Sequence, residues 1–69
     1  CSSNEQKKAS YFEKGNAYFE KGEYKSAEIE FKNAIHIDPE YIVAYTKLGQ
    51  TYLNLGNPQE AFRAYSMVA

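Results

Sequence analysis

The chain has little of what catalysis and covalent cross-linking need. A single cysteine, Cys1, excludes an internal disulfide and any cysteine-rich metal site. His36 is the only histidine, and no Gly-rich phosphate loop, nucleophile motif or metal-ligand cluster accompanies it. Glu28 and Glu30 stand two apart on a helical stretch and face different ways, so they make no carboxylate pair. No catalytic residue, metal or cofactor is therefore expected. Apolar runs long enough to cross a bilayer are missing as well. So is an excess of one charge, since the formal net charge is −1. Lys7, Lys8, Lys14, Lys21, Lys25 and Lys32 interleave with Glu13, Glu20, Glu23, Glu28 and Glu30. That is the pattern of a solvated helical surface, and it argues against nucleic acid as a partner.

What is present is aromatic and periodic. Seven Tyr and four Phe in 69 residues give a small single domain a large apolar payload for its length. Tyr11, Gly15, Tyr18, Gly22 and Ala27 recur thirty-four positions later as Tyr45, Gly49, Tyr52, Gly56 and Ala61. Phe31 recurs as Tyr65 and Phe19 as Leu53. Self-similarity at this period marks an architecture of stacked supersecondary units, each burying its apolar face on its neighbour.

Residues 1–7 are polar and read as a flexible tail. The spacing then predicts helices near 8–21, 24–37, 40–55 and 58–68. Tyr11, Gly15, Tyr18 and Phe19 fall on one helical face, and Gly22 follows where a left-handed cap favours glycine. Tyr24, Ala27, Phe31, Ala34 and Ile35 share a face of the second helix, with Glu28 and Lys32 as an exposed i, i+4 pair. Asp38-Pro39 and Asn57-Pro58 each read as an N-cap followed by a proline at the first helical position. Glu60 stands where a capping box places its carboxylate. Tyr45, Leu48, Gly49 and Tyr52 form the buried face of the third helix, and Ala61, Phe62, Tyr65 and Val68 are apolar on the fourth.

This doubled pattern resembles the tetratricopeptide repeat, a 34-residue helix-turn-helix unit. The first unit, 8–41, supplies Tyr11, Gly15, Tyr18, Ala27, Phe31, Ala34 and Pro39 at the family's signature places. The second, 42–69, supplies Tyr45, Leu48, Gly49, Tyr52, Ala61 and Tyr65, with Val68 where Ala is usual. Lys14 stands where the family prefers Leu, which predicts a frayed or partly exposed start to the first helix. The resemblance implies an all-α, right-handed superhelical stack of two antiparallel hairpins. Gly15 with Ala27, and Gly49 with Ala61, should lie where paired helices approach most closely, and a larger side chain there would cost roughly 1–3 kcal/mol. His36 should lie on the outer side of the second helix. The second unit stops before the Asp-Pro ending that closes the first, so Phe62, Tyr65, Met67 and Val68 should want a covering helix. Marginal stability, or self-association through that end, is the expectation.

In the family the first helix of each unit lines a concave groove for protein or peptide segments. By position, the resemblance assigns that groove to Phe12, Glu13, Asn16, Phe19 and Glu20, then Thr46, Lys47, Gln50 and Asn54. Asn16 matches an asparagine with which chaperone-binding members clamp a terminal carboxylate. Phe12 replaces the lysine of that clamp and Lys47 its second asparagine, so the clamp is incomplete. A non-enzymatic interaction scaffold follows. The opening Cys-Ser-Ser and polar tail look like a mature bacterial lipoprotein acylated at Cys1, which implies a tether facing the periplasm and a part in assembling an envelope machine for pilus, outer-membrane or polysaccharide export. A cytoplasmic adaptor or co-chaperone module cut at Cys1, or a regulatory domain of a larger enzyme, fits the same residues.

Overall fold

The structure, a computed structural model, describes residues 3–68. It is built of four helices, α1 (Asn4–Glu20), α2 (Tyr24–Ile37), α3 (Ile42–Asn54) and α4 (Pro58–Ser66). They form two antiparallel hairpins, α1–α2 and α3–α4, stacked so that α3 packs on α2 and touches α1. The all-α stack of helical hairpins is thus as expected.

Both hairpin turns are closed by one device. Gly22 and Gly56 adopt φ of +79° and +74°, the left-handed region that glycine enters without steric cost. The N–H groups of Gly22 and Glu23 then donate to the carbonyls of Phe19 and Tyr18, at 3.0 and 2.9 Å. In the second hairpin Gly56 and Asn57 donate to Leu53 and Tyr52, at 3.1 and 2.9 Å. These paired bonds satisfy carbonyls that a helix end leaves open, and they fix the hairpin angle.

The start of the chain differs from expectation. Residues 4–7 are helical, so α1 begins four residues early. Ser3 caps it: the Gln6 N–H donates to Ser3 Oγ (3.2 Å) and the Ser3 N–H to Gln6 Oε1 (3.1 Å). This reciprocal capping box makes helix out of a segment with nothing to bury. Cys1 and Ser2 lie outside the described residues. Of the frayed or partly exposed alternatives at Lys14 the second holds: the residue is exposed on an unbroken helix, its ammonium 5.9 Å from the Tyr11 ring centroid.

Two caps differ as well. Asp38 does not cap α3, whose first residue is Ile42. Its carboxylate accepts the Glu40 N–H (3.1 Å) in a tight turn and the Lys8 ammonium (2.6 Å), leaving Pro39 in the turn. Asn57 does cap α4 through the Glu60 N–H, with Pro58 in the first turn. Glu60 does not return the bond, because its carboxylate faces Arg63 at 3.5 Å.

The core is a seam of Ala27, Phe31, Leu48, Tyr52, Ala61 and Ala64, flanked by Phe12, Tyr18, Phe19, Ile35, Leu55 and Tyr65. Gly15 and Gly49 lie directly under aromatic rings. A β-carbon on Gly15 would meet Phe31 at 2.5 Å, and one on Gly49 would meet Tyr65 at 2.6 Å. Ala27 and Ala61, the expected partners of these glycines, are buried in the same core, and it is the rings of Phe31 and Tyr65 that lie nearest over the bare backbone. Thr51 is fully buried, its hydroxyl donating to the Lys47 carbonyl at 2.7 Å.

Candidate functional site

Helices α1 and α3 lie side by side, and across their junction stand Asn16, Phe19, Lys47 and Gln50, all half-buried. The Lys47 ammonium rests 4.0 Å from the Phe19 ring centroid, and that ring packs edge-on against Tyr24 at 5.3 Å. A cation over a π-face at this distance is attracted by the ring quadrupole. Asn16 Oδ1 is buried and accepts no hydrogen bond. An unmet buried acceptor costs about 1–3 kcal/mol, a penalty that an incoming donor relieves.

The other candidates divide. Glu13 and Glu20 are exposed on α1. Phe12 is drawn into the seam, 5.6 Å from Phe31 and 5.5 Å from Tyr41, and serves the core more than a groove. Thr46 donates to the Ile42 carbonyl (3.3 Å) and Asn54 to the Gln50 carbonyl (2.9 Å), so both spend a donor on their own helix. Phe19 and Lys47 meet across the junction. His36 is exposed on α2, as its repeat position implies.

One polar cluster escaped the sequence reading, and a second was foreseen as a pair but not as partly buried. The Lys8 ammonium lies 2.6 Å from Asp38, 3.1 Å from Glu5 and 4.6 Å from the Tyr41 ring centroid. Hydrogen bonding from Lys8 holds the Asp38 carboxyl below its ordinary value, helped by the Glu40 N–H. The same bond to Asp38, with one to Glu5, raises the Lys8 ammonium. This clasp ties the beginning of α1 to the turn between hairpins. The second cluster is Glu28 with Lys32 at 3.2 Å and Lys25 at 3.6 Å. Expected to be exposed, the Glu28 side chain keeps only 14 % of its surface and faces the Tyr52 hydroxyl. Burial pushes the Glu28 carboxyl up, but hydrogen bonds from Tyr52 and Lys32 outweigh it, and its pKa falls below the ordinary value. Burial and then Glu28 raise the Tyr52 phenol. The available signal was the repeat itself, because the place of Glu28 holds an apolar residue, Phe62, thirty-four positions on.

On the opposite side, a cleft of about 370 Å³ opens between α2, α3 and α4, with Ile35, Leu48 and Met67 among its walls. Lys32 and Arg63 at its margin are already paired with Glu28 and Glu60. Among the described residues no helix is long and apolar enough to cross a membrane. The family model described as TPR repeat matches residues 15–56, well over half of the chain. No match was found among curated proteins or among solved structures.

Proposed function

Because the chain belongs to the tetratricopeptide-repeat family, typically non-enzymatic interaction modules, we propose that it is a scaffold holding a peptide segment of a partner protein across α1 and α3. The observations that carry this reading are two groups with unmet polar capacity, Asn16 on α1 and Lys47 on α3. One offers a buried acceptor without a donor, and the other a cation that no carboxylate among the described residues approaches within 4 Å. A peptide supplies both complements, an N–H for Asn16 and a carbonyl or carboxylate for Lys47. Phe19 and Gln50 add an apolar and a polar contact alongside.

The cellular setting we favour is the bacterial envelope, with Cys1 acylated and the scaffold facing the periplasm, where it would help assemble or target an export or pilus machine. The support is the opening Cys-Ser-Ser. One acyl chain holds a protein weakly, whereas several anchor it firmly. With α1 beginning at Asn4, only Ser2 and Ser3 would separate lipid from helix. Cys1→Ala in the full precursor, followed by cell fractionation, tests the anchor; a variant that stays with the membrane removes it.

The scaffold itself is tested with random 15-residue peptides selected on the wild-type protein. Binding should weaken about tenfold or more in Asn16→Ala and in Lys47→Glu, and survive in His36→Ala. Amide shifts confined to the outer face around Lys32 and His36 would refute the assignment.

A further inference from the structure

The lysines and glutamates that alternate along the sequence separate on the folded α1. Lys7, Lys14 and Lys21, the last at the C-cap, stand exposed with half-buried Tyr11 and Tyr18 between them. Spacing of i, i+4, i+7, i+11 and i+14 makes one straight strip about 20 Å long. Glu13 and Glu20 project about a third of a turn away around the helix axis. Among the described residues no carboxylate comes within 4 Å of these three ammonium groups, whereas Lys8, Lys25 and Lys32 are each paired. Glu30 of α2 shares a cleft of about 350 Å³ with Lys14, Tyr18 and Lys21, and two cations against one carboxylate leave that cleft positive.

The corresponding strip of α3 is Tyr41, Tyr45, Leu48, Tyr52 and Leu55, and it lies against the first hairpin. Tyr41 packs on Phe12, Tyr52 faces Glu28, and Leu48 and Leu55 belong to the core. Helix α1 keeps both inner tyrosines and holds lysine at each of the three other places. A further hairpin stacked on this strip would bury three ammonium groups, which costs more than the apolar contact returns. A polar cap needs no particular sign, and the exposed side of α2 mixes both. A line of one sign is complementary to an extended anionic surface.

We propose that the Lys7–Lys14–Lys21 strip lays α1 along an anionic lipid surface. Lysine stems and tyrosine rings are apolar with polar tips, a form suited to the headgroup boundary. A protein partner fits less well, since lysine is depleted from protein interfaces, and a net charge of −1 disfavours nucleic acid. The choice of a bilayer rests on the acylated Cys1 proposed above, which would hold the start of α1 at the membrane. Each lysine beside an anionic leaflet strengthens binding about fivefold, so three give about a hundredfold.

For the test, the isotope-labelled 69-residue protein is coupled through its single thiol, Cys1, to a maleimide lipid in nanodiscs with spin-labelled headgroups. One set of discs mixes phosphatidylglycerol with phosphatidylethanolamine, and the other is phosphatidylcholine alone. Residues beside the tether broaden in either, so the reading is taken at Tyr18 and Lys21, more than about 20 Å along the helix from Asn4. Their amides should broaden on the anionic discs alone, and less as salt is added. Lys14→Gln with Lys21→Gln should lower the docked-to-free ratio about twentyfold. Lys14→Arg with Lys21→Arg should retain it, and Lys25→Gln, on another side of the hairpin, should leave it unchanged. Equal broadening on both discs, or none at Tyr18 and Lys21, would overturn the proposal, as would a Lys25→Gln effect as large as that of the strip. A polyglutamate peptide that clears the strip from anionic discs at matched charge would also overturn it, by giving the strip to an acidic protein. The chemical tether makes the result independent of acylation in cells, so failure of the strip and failure of the anchor are read separately.

Discussion

The two hairpins share a backbone and differ in how their faces are sealed. Their turns carry the same glycine geometry and the same pair of closing bonds. Yet Phe31 is fully buried while its counterpart Tyr65 is half-buried. Leu48 keeps 6 % of its surface while its counterpart Lys14 is exposed, and Glu28 lies against Tyr52 while Phe62 stands in solvent. The difference is one of neighbours. Only the first hairpin has a helix on its α3-facing side, and only the second has one on the side where Lys14 projects from the first. A repeat therefore copies its turns faithfully and fits its side chains to what lies beside them.

The largest expected effect breaks the aromatic pair. Phe31→Ala should cost about 3–5 kcal/mol, comparable with the whole stability of so small a domain, and abolish a cooperative thermal transition followed by circular dichroism. Tyr65→Ala should leave a cooperative transition at lower temperature. Equal losses would mean that the hairpins are buried alike.

Next come the exchanged residues Lys14 and Leu48. Leu48→Lys places an ammonium in the seam and should lower stability by about 2–4 kcal/mol in urea titration. Lys14→Leu should move it by no more than about 0.5 kcal/mol. A large gain from Lys14→Leu would show that the outer face of α1 is packed after all.

Smaller again is the contrast between the glycines under the rings. Alanine gains about 1 kcal/mol of helix propensity over glycine, but a β-carbon on Gly15 strikes Phe31, which has nowhere to move. Gly15→Ala should therefore destabilise by about 1–3 kcal/mol. At Gly49 the half-exposed Tyr65 ring can swing aside, so Gly49→Ala should be nearly neutral. Identical melting curves for the two variants would dissolve the distinction.

The smallest effect is in pH, and it belongs to the seam between hairpins. Glu28 and Asp38 are lowered from their ordinary values, so their contribution is full above the unfolded-state values near about 4 and is lost as pH falls through the folded ones. Lys8 and Lys32 are raised, so theirs is full below about 10.4 and is lost as pH climbs through the folded values. Glu28→Gln should flatten the acid limb of a stability-versus-pH curve. The second hairpin has Phe62, which does not titrate, in the place of Glu28. An acid limb unchanged in Glu28→Gln would assign the effect elsewhere.

Much of the fold was legible because its determinants are local. Gly22 and Gly56 act through their own φ and N–H, Pro58 through its fixed φ and missing N–H, and the apolar stripes of α2 and α3 through helical spacing alone. The start of α1 was misread because Ser3 and Gln6 stabilise a helix by hydrogen bonds to each other's backbone, with no apolar stripe to announce it. Asp38 was misread because its carboxylate is claimed by Lys8, thirty residues away. Of the residues that the repeat assigned to a groove, Phe19 and Lys47 meet between α1 and α3. The repeat did not reveal that Phe12 would turn into the seam toward Tyr41.

The sequence by itself determined the number of helices, the glycine turns and the family, because repetition and chain-local conformational preferences decide these. Tertiary structure alone decided which aromatic ring covers which glycine, that Glu28 is held by Tyr52, that Lys47 lies on Phe19, and that Leu53 and Phe62 face outward. Each depends on a distance between residues far apart in the chain, and a side chain's burial and charge are set by the helix that comes to lie beside it.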